Sequence, residues 1–220
     1  MLFRLAAVLA LLNPAACLGQ ARAAEWRFYG GDRGGTRHSP LKQIDRRNVG
    51  RLRRAWVYHT GELELGLGAA PFQASFSTTP LVVGGVMYLS TPSSRVVALD
   101  AETGRELWKF DPQAGARVRG FNSHRGVAFW EGRGADGRSR ERRVLFGTVD
   151  GRLVALNAET GKPDADFGGG GFVDLRAGGA GGGADDPVWG ARVTSPPAVY
   201  KDLVIVGWGL PASPAKGPTG

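Results

Sequence analysis

Cysteine is nearly absent from this chain of 220 residues. The single one, Cys17, lies near the N-terminus. A lone cysteine excludes an internal disulfide framework and a thiolate metal cage, and no Cys-x-x-Cys-His run for covalent haem is present. There are only three histidines and two methionines, and no zinc motif, no Gly-x-Ser-x-Gly elbow and no phosphate-loop lysine. The glycine runs at 168–171 and 178–183 lack the strand-to-helix setting that a nucleotide loop needs. Lysine is scarce as well. The net charge of +8 is carried by 23 arginines and 5 lysines against 20 acids. The aromatics fall within strand-like stretches rather than among the arginine runs, so the basic balance reads as a solvated, arginine-biased surface and not as a nucleic-acid stacking platform. No apolar run reaches the length of a membrane-spanning helix.

The longest apolar stretch, Leu5 to Leu12, follows Arg4 and precedes the small residues Ala21-Arg22-Ala23. This is the layout of a secretory signal, so residues 1–23 are predicted as a signal peptide, with 24–220 as the mature chain. Cys17, after Ala15 and Ala16, offers a second reading as the lipidated residue of a lipoprotein signal, although Pro14 departs from that pattern.

Within the mature chain one unit recurs. Val96 to Pro112, VVALDAETGRELWKFDP, reads as an apolar strand, a turn at Thr103-Gly104, and an aromatic-rich strand. Leu153 to Gly161, LVALNAETG, repeats it 57 residues later. A second pair, from Pro80 and from Pro197, is separated by 117 residues, close to twice that period. Repeats of this length built from short strands predict an all-β fold, a β-propeller with enlarged blades. About three and a half such blades fit into the mature chain, whereas closed propellers have four to eight, so the expectation is an incomplete propeller from the N-terminal part of a longer protein. Ala55 to Thr60 reads as a further strand, with Trp56-Val57-Tyr58 matching Trp108-Lys109-Phe110. Leu63 to Ser77 reads as a loop, and about 168–187 as a mobile, glycine-rich insertion.

The local sequence marks one place for chemistry. In FNSHRGVAFW the polar run Asn122-Ser123-His124-Arg125 leads directly into an apolar strand, a layout suited to the mouth of a propeller channel. Two readings of Arg125 stand: a fork of donors aimed at a carboxylate, or an ion pair with a neighbouring Asp or Glu.

A family resemblance bears on that choice. The stretch from Trp26 through Glu62, the Ala98-Leu99-Asp100, Thr103-Gly104 and Trp108 pattern, Arg125-Gly126-Val127-Ala128-Phe129-Trp130, Gly147 to Arg152 and Val193 to Pro197 together resemble the pyrroloquinoline-quinone (PQQ) dehydrogenases. STPSSRVVALDAETG and Asp166-Phe167-Gly168 resemble the membrane-type glucose dehydrogenase branch. The resemblance implies an eight-bladed propeller with tryptophan-docking repeats, of which this chain supplies three to four blades. It also implies hydride transfer from a sugar or alcohol to PQQ, Ca²⁺ or Mg²⁺ beside the cofactor, and a membrane quinone or cytochrome as electron acceptor. The location it implies, with the signal, is periplasmic or secreted, with membrane association left open. By the resemblance Arg125 pairs with a PQQ carboxylate, Thr148 and Thr194 offer hydroxyls, and His124 lines the same site. No catalytic residue is assigned, because the family's general base falls beyond Gly220, and the fragment alone is expected to be inactive. No metal ligand is assigned either. Ser77 stands where many relatives carry Glu, no acid near Trp208-Gly209-Leu210 matches the alcohol-oxidising branch, and that branch's vicinal cysteines are missing. Ala165 replaces the docking Trp in the second repeat. The alternative is a non-catalytic propeller lipoprotein scaffold of the cell envelope, anchored through Cys17.

Overall fold

The computed structural model describes residues 25–62, 74–113, 122–134, 136–178 and 192–207. Cys17, the signal segment, residues 63–73 of the expected loop, residues 179–187 of the expected insertion and Trp208-Gly209-Leu210 lie outside them.

Two four-stranded antiparallel sheets dominate. The first takes β2 (Leu81–Val83), β3 (Val86–Ser90), β4 (Val96–Asp100) and β5 (Glu106–Phe110) in sequence order. The second takes β7 (Ala128–Arg133), β8 (Arg140–Gly147), β9 (Arg152–Asn157) and β10 (Phe172–Asp174), again in sequence order. A hairpin of β11 (Ala198–Tyr200) and β12 (Leu203–Ile205) follows. Each sheet is a meander; short turns join most consecutive strands, and residues 158–171 lead from β9 to β10. At Gly84-Gly85 both residues have positive φ, as a two-residue hairpin requires. These sheets are propeller blades, and the hairpin opens a third.

Strand β4 shows why the chain stacks in layers. Val96 to Leu99 are all fully buried, because both faces of the strand are covered. Val96 and Ala98 join Leu81 and Tyr88 against Val127, Phe129, Val144, Phe146, Val154 and Leu156 of the second blade. Val97 and Leu99 face the other way, onto Trp56 and Tyr58. Period-two side chains on a strand buried on both faces give the continuous apolar run seen in the sequence.

The predicted docking contacts are present. Asp100 Oδ1 accepts from the Thr103 amide and hydroxyl, both at 2.8 Å, and Asn157 Oδ1 does the same for Glu159, Thr160 and the Thr160 hydroxyl. These bonds present Gly104 and Gly161 at positive φ. Trp108 lies flat on Gly161 and its Nε1–H donates to the Ala158 carbonyl at 3.0 Å. Trp56 lies on Gly104 in the same manner.

Three sequence expectations need correction. Ala55 to Thr60 forms no strand and pairs with none among the described residues. Side chains hold it instead: Trp56 on Gly104, Tyr58 Oη on Glu106, and Glu62 on the Ser93 hydroxyl at 2.7 Å. The end of the supposed loop before Ser77, Ala74–Phe76 (β1), pairs in parallel with Asn122–His124 (β6). Strands of three residues are too short to show side-chain alternation, and backbone hydrogen bonds need none. The run at 168–171 is not the start of a loose insertion. Gly168, Gly170 and Gly171 adopt positive φ in a compact turn that delivers β10 to β9. Pro163 makes a single bridge to Leu156, cannot donate to the ladder, and the outer strand resumes only at Phe172.

Part of the basic surface is paired. Glu131 collects Arg27 at 2.8 Å, Arg140 at 2.5 Å and Arg142 at 3.3 Å, while Arg143 lies on Asp164 and over the Trp130 ring.

Candidate functional site

The four residues singled out from the sequence converge where the two blades meet the third. Strand β6 ends at His124, and the chain turns through Arg125 and Gly126 into β7. The Arg125 amide donates to the Thr194 carbonyl at 2.8 Å, and its carbonyl accepts from the Thr79 amide at 2.9 Å. Residue 125 is thus fastened to the approach of the first blade and to that of the third. Gly126, at φ 141°, is required here: a Cβ would lie 3.0 Å from the Thr79 carbonyl oxygen.

The Arg125 guanidinium is exposed, and one Nη donates to Thr194 Oγ1 at 3.1 Å. One bond to a neutral oxygen leaves most of the fork's donors unused by Thr194. Arg125 also lines an open cleft of about 640 Å³ with Arg27, Arg33, Phe28, Tyr29 and Ser195. An exposed guanidinium steadied by a hydroxyl suits an anionic, carboxylate-bearing ligand.

His124 and Thr148 are both enclosed. His124 is completely buried, and both ring nitrogens have partners: Nε2 with the Gly147 carbonyl and Nδ1 with Ser90 Oγ, each at 2.7 Å. Burial, reinforced by the Arg125 charge, pushes its pKa down to about 4, against the favourable bond to Gly147. Thr148 is also fully buried. Its hydroxyl donates toward Asp150 and Arg152 and accepts from the Arg152 amide at 3.0 Å, closing the β8–β9 turn, while its carbonyl accepts from Val193. The structure therefore keeps Arg125 and Thr194 as available polar groups, with His124 and Thr148 behind them as supports.

Ser90 escaped notice in the sequence. It ends the apolar strand β3, is fully buried, and accepts or donates to Thr78 Oγ1 at 3.0 Å as well as meeting His124. The one available signal was a serine terminating a buried strand. At the second junction, where Ala165 lacks an indole, Trp130 of β7 donates to the Lys201 carbonyl in the β11–β12 turn at 3.1 Å. No cluster of three or more His, Cys, Asp or Glu suited to a metal occurs among the described residues.

Stacked four-stranded meanders, joined by tryptophans lying on Thr-Gly turns, define a β-propeller, and the turn into its second blade carries an exposed arginine. Residues 26–220 match the PQQ-type "Glucose/ethanol/alcohol dehydrogenase, beta-propeller domain". The chain belongs to this family of PQQ β-propeller quinoprotein dehydrogenases. It is 35% identical over 202 residues to the quinate/shikimate dehydrogenase (quinone) of Acinetobacter baylyi, covering 84% of this chain and 24% of that protein. It is 36% identical over 174 residues to the quinoprotein glucose dehydrogenase of Escherichia coli, covering 75% and 21%. Among solved structures, the quinohemoprotein alcohol dehydrogenase of Comamonas testosteroni superposes with a TM-score of 0.62 at 32% identity, over 87% of this chain and 24% of that one. The chain thus spans about a quarter or less of the length of these relatives.

Proposed function

We propose that this chain is the N-terminal part of a PQQ-dependent dehydrogenase that oxidises a sugar or alcohol. PQQ, when bound, supplies the two-electron acceptor for the substrate's hydride. The carrying observation is Arg125: an exposed guanidinium held by Thr194 and clamped through its backbone to Thr79 and Thr194. PQQ is a tricarboxylate, and Arg125 has the charge and the donors to hold one carboxylate, with Thr194 beside it. The electron acceptor is a quinone or a cytochrome, in keeping with relatives named alcohol dehydrogenase (quinone) and 1-butanol dehydrogenase (cytochrome c). The leader-like sequence at residues 1–23 supports a periplasmic or secreted protein. Ca²⁺ or Mg²⁺ belongs to the proposal through the family resemblance, with no ligand assigned.

Arg125 binds and orients, and no residue of this chain is proposed as the base. Residues 24–220 alone, given PQQ and Ca²⁺ or Mg²⁺, are therefore expected to show no dye- or quinone-coupled turnover, and measurable turnover would refute that. In the longer gene product, Arg125→Ala should weaken PQQ reconstitution at least tenfold, the effect of losing a charge-assisted carboxylate contact. Unchanged reconstitution would remove Arg125 from the cofactor site.

A further inference from the structure

We infer that His124 is a positioning residue for Arg125: a neutral imidazole that locks two blades together and so fixes where the arginine stands. The PQQ reading supplies the ligand for this arginine, but the geometric part of the inference stands without it.

The tautomer follows from the partners. A backbone carbonyl can only accept, so Nε2 carries the hydrogen and donates it to Gly147, at the end of β8. Nδ1 is then an acceptor, and the Ser90 hydroxyl, at the end of β3, donates to it. With its hydrogen committed, Ser90 Oγ accepts from Thr78 Oγ1–H. The bonds run in one direction, from Thr78 through Ser90 and His124 to Gly147, and cross from the first blade to the second. The ring also meets the buried Phe146 edge-on, with centroids 6.3 Å apart.

Arg125 follows this pin directly and is held on its other side by Gly126, whose amide lies 3.4 Å from Nδ1 and whose α-carbon has no room for a side chain beside Thr79. The arginine's backbone bonds reach Thr79 and Thr194, which belong to the approaches of the first and third blades. Its location is therefore set by the relative placement of three blades, and His124 is the side chain that ties the first two together at this point. An apolar residue of the same volume would fill the space but would leave the Gly147 carbonyl and the Ser90 hydroxyl without these bonds. Neutrality also matters, since a charged ring would repel the adjacent guanidinium.

The test separates polar pinning from simple filling. His124→Leu keeps bulk and removes both bonds, whereas His124→Gln can donate to Gly147 and accept from Ser90. In residues 24–220, the ¹⁵N–¹H signals of the Arg125 side chain should show the restraint imposed by Thr194. That restraint should be lost in His124→Leu and in Thr194→Val, and retained in His124→Gln. In the longer gene product, His124→Leu should weaken PQQ reconstitution at least tenfold, His124→Gln by no more than about threefold, and His124→Leu should add nothing in an Arg125→Ala background. If His124→Leu does not fold, Ser90→Ala, which removes one bond of the pin, should show a partial loss of the Arg125 restraint. Equal behaviour of Leu and Gln, or a full effect of His124→Leu without Arg125, would overturn the inference. Loss of the restraint with PQQ reconstitution indifferent to Arg125→Ala would uphold the positioning role and overturn the PQQ reading of the site.

Discussion

Two side chains should write distinct signatures into the pH dependence of folding. The folded protein keeps His124 neutral down to about pH 4, whereas an unfolded histidine takes its proton near 6.5. Between those values the unfolded chain binds more protons, so stability is whole above about pH 6.5 and falls as pH drops, by up to about 1.4 kcal/mol per pH unit. Glu131 is held down to about 2, chiefly by its bond from Arg27, with Arg140 and Arg142 adding to it. Its stabilisation is present above its ordinary 4.5 and is lost as pH falls toward about 2. Urea unfolding measured from pH 7 to 2.5 should lose its upper slope in His124→Gln and its lower slope in Glu131→Gln. An unchanged upper slope in His124→Gln would show that another group titrates there. These are properties of burial and partners. The local sequence marked His124 for attention, yet nothing in FNSHRG distinguishes an exposed ligand-lining ring from an enclosed one.

At the scale of elements, the tryptophan-on-glycine contact joins one blade to the next. A Cβ on Gly161 would lie 2.5 Å from Trp108 Cδ2, and the residue also has φ 68°. Gly161→Ala should therefore cost about 2–4 kcal/mol, combining backbone strain with the clash. Gly84→Ala is the control: its φ is 58° with open space around the Cβ, so only the strain of about 1–2 kcal/mol remains. Chemical denaturation of the two variants reads the difference, and equal losses would mean that the indole carries no part of the effect. The strand–turn–strand unit at Val96 to Pro112 was legible because both of its signals are local: apolar residues in a row, then Asp100 capping a turn that needs glycine. The outer strand of the second blade was not legible, since Pro163 and Ala165 broke the copied pattern and the pairing resumed at Phe172. Backbone pairing partners such as β1 and β6 leave no mark in side-chain alternation when the strands are three residues long.

At the scale of the whole molecule, the main hydrophobic core lies between blades. The main core draws on both sheets, with Leu81, Val96 and Ala98 packed against Val127, Phe146 and Val154. A chain ending at Pro112 would expose one side of that core, and stacked repeats of this kind do not bury their faces alone. Residues 24–112 should therefore melt without a cooperative transition and bind a hydrophobic dye, whereas residues 24–220 melt cooperatively. A sharp transition in the shorter chain would contradict this. At the same scale, the proposed signal peptide predicts a mature N-terminus at Ala24 after expression in a secreting host, read by intact mass. A diacylglyceryl adduct at Cys17 would show the lipoprotein route instead.

The sequence by itself determined the repeat, its period, the docking tryptophan at Trp108 and the arginine worth attention, because each is written in residues close together in the chain or spaced at a constant interval. Tertiary structure decided what those residues do. It put Trp56 on Gly104 with no strand at Trp56 among the described residues, and gave the next junction to Trp130. It set Arg125 and Thr194 side by side across 69 residues, and it enclosed His124 and Thr148 behind them. The physical reason is that exposure and hydrogen-bond partnership depend on which blades come together, and this is fixed only when the faces of neighbouring sheets are buried against each other.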